Sequence, residues 1–291
     1  MNILSQRTAA SWAPKLVSLV RMAAGLLLLQ HGAEKLWGFA GGRIDHNFAS
    51  LHGIAGPLET LGGILLVLGL FTRSTAFILS GEMAVAYLGR WPPRTFWPIN
   101  NAGKEAAIYA FLLLWLVTAG PGPWSLDPLL ARQRRDFGLE IGATASRVSG
   151  WEDYSRFLLR VTLAFMVSLH GFRLLFGFFA AARGRRGAAP MALDQLSSIF
   201  GLVIIVAAAM LFLGLYSRLA ALTLSSVALI SYVYAAMPAG PWPIRNGGSE
   251  VVAYFFAFMY LTAVGGGIWS LDSLAQRKSS KNVTVAAGAR T

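Results

Sequence analysis

Apolar runs recur along the whole chain, each bounded by Gly, Pro, Trp or charged residues. In the first half they fall at residues 14–36, 55–71, 75–88 and 105–119, and in the second at 157–179, 196–216, 219–237 and 251–264. Runs this long with so few charges predict helices in lipid. Several are shorter than the roughly 20 residues a perpendicular span needs, and flanking Gly, Ser and Trp bring them to length. Very tight turns at Arg73 and Arg218 join the second and third runs of each half, which predicts antiparallel hairpins within the membrane. The expected fold class is an all-α membrane protein with eight transmembrane helices.

The two halves repeat each other. Arg21, His31, Gly32, Gly38 and Phe39 match Arg160, His170, Gly171, Gly177 and Phe178 at an offset of 139. Beyond a first loop longer by six residues, the offset is 145. Gly69-Leu70-Phe71-Thr72-Arg73 then matches Gly214-Leu215-Tyr216-Ser217-Arg218, and Trp124-Ser125-Leu126-Asp127 matches Trp269-Ser270-Leu271-Asp272. Trp97-Pro98-Ile99 with Glu105 and Tyr109 matches Trp242-Pro243-Ile244 with Glu250 and Tyr254. Four spans return a chain to its starting side, so the copies have one orientation, related by a pseudo-twofold along the membrane normal. The expected organisation is two parallel-repeat four-helix bundles, at 1–130 and 153–291. A polar, Arg-rich linker at 131–152 joins them, and the C-terminal tail is polar.

Composition supports lipid as the solvent: only 13% of the 291 residues are charged, where soluble domains carry about a quarter. Eight of the nine tryptophans lie near predicted helix ends, as an interfacial belt requires; Trp115 is the exception. The net charge of +12 does not point to nucleic acid. Its Arg and Lys residues sit in short groups between apolar runs, such as Arg132, Arg134 and Arg135 or Arg183, Arg185 and Arg186, without interleaved aromatics for base stacking. Thirteen Lys and Arg fall on the side of the termini and nine on the other, which places both termini in the cytoplasm of a multi-pass inner (plasma) membrane protein. The first helix reads as a retained anchor. With no cysteine, disulfides, thiolate catalysis, Cys-ligated clusters and c-type haem attachment are excluded within the chain. Redox chemistry here would run through a quinone, another non-covalent cofactor or a partner subunit.

Ionisable groups inside a bilayer are costly and mark functional sites by default. The expected catalytic residues are His31, Lys35 and Glu82; Arg21, Glu34, Glu59 and Glu105 are expected to bind substrate or quinone. His31 and Lys35 share a helix face at i, i+4, beside Glu34, and are suited to passing a proton to a quinone oxygen. The competing reading sends Glu34 and Lys35 to the headgroups and His31 to a neighbouring helix. Glu59 and Glu82, on adjacent helices, are expected to flank a buried cation such as Arg21, as a site or as a structural ion network. The second half has Leu174, Ile204 and Val227 where the first has Lys35, Glu59 and Glu82, so the active set is assigned to the first half. Glu105 and Glu250 open the last helix of each half, where a carboxylate suits the helix dipole; the Gly-containing turns ahead of them also leave room for a ligand. Trp124-Ser125-Leu126-Asp127 after Gly120-Pro121-Gly122 reads as a structural stop. A paired haem on His31 and His170 is the weakest reading, because each His lies near a helix end and is followed by Gly. No metal site is expected.

These motifs together resemble the DoxX family: Arg21, His31-Gly32 and Lys35, Gly62-Gly63, Gly69 to Arg73, Gly103-Lys104-Glu105, and Gly120, Gly122 and Trp124 to Asp127. They cover most of residues 16–130, and the second half looks like a divergent copy. The resemblance implies a four-helix membrane unit and a part in redox metabolism. Related proteins include a subunit of thiosulfate:quinone oxidoreductase and a membrane partner of superoxide dismutase and a sulfurtransferase. The resulting expectation is a quinone-linked redox protein, or the membrane subunit of an oxidoreductase complex with protein partners besides lipid. A non-catalytic scaffold docking redox enzymes is the alternative, and a small-molecule transporter the third.

Overall fold

The computed structural model describes residues 6–42, 44–90, 97–101, 103–130, 148, 150–178 and 195–277. The Arg groups at 132–135 and 183–186, Trp91, the tail beyond 277 and most of the expected 131–152 linker lie outside the described residues. Each apolar run coincides with a helix. These are α1 (Gln6–Trp37), α2 (Leu51–Leu68), α3 (Thr72–Arg90), α4 (Lys104–Ala119), α5 (Glu152–Phe176), α6 (Gln195–Leu213), α7 (Ser217–Ser231) and α8 (Ser249–Val264). A π turn and a 3₁₀ turn extend α7 to Ala239, and one helical turn, Pro243–Asn246, precedes α8. There is no strand among the described residues.

Five of the helices are long and apolar enough to cross a bilayer: α1, α2, α5, α6 and the extended α7. Of the other three, α4 and α8 have 16 residues each, and α3 carries Arg73, Glu82 and Arg90. Large apolar side chains cover the outside, among them Leu61, Phe77, Ile78, Leu202 and Phe212. Trp12, Trp37, Trp97, Trp124, Trp151, Trp242 and Trp269 are also exposed, and all but Trp12 lie at or beyond helix ends. Trp115 is buried at the centre, against Tyr260 at 4.4 Å between ring centres.

The packing differs from two self-contained bundles. Each helix packs on the next along the chain, and α1 packs on α8, so the eight close into a ring of neighbours. The α1–α4 contact is slight, whereas α4 packs well on α5, and α4 also meets α8 across the ring. The first and last helices of each half therefore complete the core of the other.

The tight turns also sit earlier than Arg73 and Arg218. Both arginines are inside helices, and the chain reverses at Gly69–Phe71 and Gly214–Tyr216. Gly69 (φ +67°) and Gly214 (φ +71°) end α2 and α6 in the left-handed conformation that glycine adopts readily. They lie against Arg21 and Ser125, and Arg160 and Ser270, where a Cβ has no room. The sequence motif is thus a clasp. The Arg21 guanidinium donates to the Leu66, Val67 and Trp124 carbonyls; that of Arg160 donates to Gly266 and Trp269. Asp127 accepts from the Phe71 and Thr72 N–H groups at 2.6 and 3.0 Å, capping α3. Asp272 does the same for α7, from Tyr216 and Ser217, both at 2.8 Å. Arg73 reaches the Val117 and Thr118 carbonyls at the end of α4. Each bond satisfies a backbone group, at a helix end or in the turn beside it, that lipid could not.

Candidate functional site

The polar side chains inside the ring gather toward the end where α1 finishes and α4 and α8 begin. Lys35, in the last turn of α1, is ion-paired with Glu59 of α2, and both are buried. Close α1–α2 packing makes this reach possible: Gly32 lies against Thr60 and the Gly56 carbonyl. Glu82 of α3 lies within electrostatic range of both Glu59 and Lys35. Its two carboxyl oxygens are shielded from solvent and have no hydrogen-bond partner among the described residues.

His31 stands one turn before Lys35, with its Nε2 3.5 Å from the Glu105 carboxylate. Its ring meets Tyr109 edge to face, 6.3 Å between centres. The second half repeats this arrangement: His170 Nε2 is 3.4 Å from Glu250 and its ring meets Tyr254 edge to face at 6.2 Å. Glu105 and Tyr109, like Glu250 and Tyr254, are four residues apart on one helix and share a face. The halves also differ. Lys104 of the first half pairs with Glu250 of the second, while the place equivalent to Lys104 is Ser249. The Glu59, Glu105 and Glu250 carboxylates all lie within electrostatic range of the Tyr109 hydroxyl, so the two sets form one network.

Of the residues expected at a site, His31, Lys35, Glu59, Glu82 and Glu105 come together. Glu34 stands at the rim of this group, within range of Glu59 and against Gly42. Arg21 does not join them. The cation beside Glu59 is Lys35, and Arg21 is fully buried at the other end of the molecule, on backbone carbonyls. Three members were not singled out from the sequence: Lys104, Tyr109 and Tyr254. The Glu-x-x-x-Tyr spacing, present in both halves, is the signal that marks the tyrosines. Nothing in the sequence marks a lysine that crosses to the other half. Among the described residues no group of three or more His, Asp or Glu is arranged to hold a metal ion. A cleft of about 480 Å³ opens at the opposite end, lined by Tyr154, Leu213, Trp269, Leu274 and Arg277 among others.

A family model described as DoxX matches residues 16–90. An uncharacterised protein of Haemophilus influenzae is 38% identical over 122 residues, taking up 39% of this chain and 90% of that protein. An uncharacterised membrane protein of Mycobacterium tuberculosis is 29% identical over 140 residues, 41% of this chain and 84% of that protein. No solved structure matches the chain significantly.

Proposed function

This chain belongs to the DoxX family, and from that premise we propose that it is a quinone-linked redox protein of the inner membrane, or the membrane subunit of an oxidoreductase complex, built from two fused copies of a four-helix unit. That it is a multi-pass membrane protein follows from its family and its spans. Two facts support the fused copies. Equivalent residues make equivalent bonds in both halves, as Asp127 and Asp272 do. Each relative is matched over most of its own length by less than half of this chain. All eight helices then cross the membrane, with the shorter α4 and α8 held in the middle of the ring.

The observation that carries the redox reading is the Glu82 carboxyl, without a hydrogen-bond partner among the described residues beside the Lys35–Glu59 pair. A carboxyl in apolar surroundings needs a proton or a hydrogen-bonding partner. A quinol hydroxyl supplies that partner, and Lys35 and His31 stand ready to donate to a quinone oxygen. The second half has apolar residues at the equivalents of Lys35, Glu59 and Glu82, so quinone is assigned to the first half alone.

Extraction of quinone from the purified protein tests this. About one quinone per chain is expected from the wild type and a tenfold lower content from a folded Glu82→Gln variant. Equal quinone in both, or none in the wild type, contradicts the assignment. A wild type without quinone that still co-purifies with an oxidoreductase supports the scaffold alternative instead.

A further inference from the structure

The least explained groups inside the ring are two tyrosine hydroxyls. Tyr109 and Tyr254 are 1% and 4% exposed, and neither hydroxyl has a hydrogen-bond partner among the described residues. Native structures rarely leave buried polar groups unsatisfied, so such groups point to something bound that the chain does not itself supply. Both hydroxyls lie in range of carboxylates: Glu59, Glu105 and Glu250 for Tyr109, and Glu250 for Tyr254. One oxygen of Glu250 is likewise buried with no partner among the described residues.

We propose that the two His–Glu–Tyr sets, His31–Glu105–Tyr109 and His170–Glu250–Tyr254, joined by Lys104, form one proton-exchange site shared by the halves.

The carboxyls inside the ring leave oxygens that call for exchangeable protons. Helices α2, α3, α4 and α8 contribute the carboxyls of Glu59, Glu82, Glu105 and Glu250. Among the described residues, Lys35 of α1 pairs with Glu59 and Lys104 of α4 with Glu250. Helices α6 and α7 present Ile204 and Val227 at the places of Glu59 and Glu82, and so add no charge. Arg21 and Arg160 are held at the other end by carbonyls. Glu34 stands at the rim of the cluster, and Arg173 and Arg245 are exposed. Both Glu82 oxygens and one of Glu250 are buried with no donor among the described residues, and a buried carboxyl oxygen left in that state is stabilised by a proton of its own. Histidine is the side chain best able to take them up and release them near neutral pH.

The geometry supplies a route. The side chains of Glu105, His170, Lys104 and His31 are 32%, 26%, 24% and 20% exposed, whereas those of Glu59 and Glu250 are 6% and 5%. The first four form a rim at the helix ends, and the buried pair lies below it. A proton from water at this face binds an imidazole nitrogen or a carboxylate oxygen and returns by the same way. Only N–H and O–H bonds are made and broken.

Infrared pH titration of the full chain in lipid nanodiscs, freed of quinone, tests the proposal apart from the redox reading. The wild type is expected to show a protonated-carboxyl band that falls as pH rises, with a tyrosine ring mode shifting in step. Glu105→Gln and Glu250→Gln are each expected to remove part of the band, and Tyr109→Phe with Tyr254→Phe to abolish the ring shift while the band remains. Should Glu250→Gln fail to fold with Lys104 unpaired, the Lys104→Met, Glu250→Gln double variant gives the same reading. A carboxyl band that does not change with pH, or a ring mode that stays fixed while the band titrates, overturns the proposal. Loss of quinone in Glu82→Gln has no bearing on this result, so the two assignments fail separately.

Discussion

Glu59→Ala is expected to destabilise the folded protein by about 3–5 kcal/mol, because it leaves the Lys35 ammonium buried without its partner. The Lys35 side chain is 11% exposed and that of Glu59 6%, so neither reaches bulk water without moving the end of α1 or α2. Removing both charges has a different outcome. Lys35→Met with Glu59→Leu keeps the volume and removes the desolvation of both ions, so its stability is expected to lie within about 1 kcal/mol of the wild type or above it. Thermal unfolding in detergent, followed by tryptophan fluorescence, reads both. A single variant as stable as the wild type would mean that Lys35 extends to the headgroups. Quinone content of the double variant then separates roles: a site that merely held the helices together would keep its quinone.

Gly63→Val is expected to cost about 3 kcal/mol or more, at or beyond the upper end of ordinary overpacking. A Cβ at Gly63 falls 2.8 Å from the Gly25 carbonyl oxygen, 2.8 Å from the Leu29 nitrogen and 3.0 Å from the Leu29 Cα. All three are backbone atoms of α1, so no rotamer change relieves the clash and the helices must separate. Small residues that let backbones approach are the usual means of joining helices in lipid, where the hydrophobic effect gives no preference for helix over tail. Gly81 on α3 is the control: nothing lies within 4 Å of its Cβ position. Gly81→Val is expected to keep the wild-type melting temperature while Gly63→Val lowers it sharply or prevents folding. Equal melting temperatures would refute the close α1–α2 packing that brings Lys35 to Glu59.

The helices were legible because apolar runs and their Gly, Pro and Trp boundaries act locally. The exact place of the turns was not, since Arg73 looks like punctuation while Gly69 sets the reversal. The site was legible in His31, Lys35, Glu59, Glu82 and Glu105, because an ionisable residue in a span stands out singly. Their grouping was less so. Arg21 and Lys35 are fourteen positions apart on one helix, roughly 21 Å along its axis, so they could not share a small site. That length was available from the sequence. The partnership of Lys104 with Glu250 was not, because it depends on α1 and α4 meeting α8 and α5 of the other half. Tyr109 and Tyr254 pass for core aromatics until the structure shows their hydroxyls without a partner among the described residues.

The His, Glu, Lys and Tyr side chains of both halves lie at one end of the molecule, and the functional assignments depend on that end being one membrane face. The chain has no cysteine, so single cysteines report position without background. Cysteines in place of His46, Asn100 and Ala239 are predicted to react with a membrane-impermeant thiol reagent in intact cells. Those replacing Leu129, Asp153 and Gln276 are predicted to react only in inside-out vesicles. Any member of one set labelling from the same face as the other set contradicts eight crossings and the account built on them.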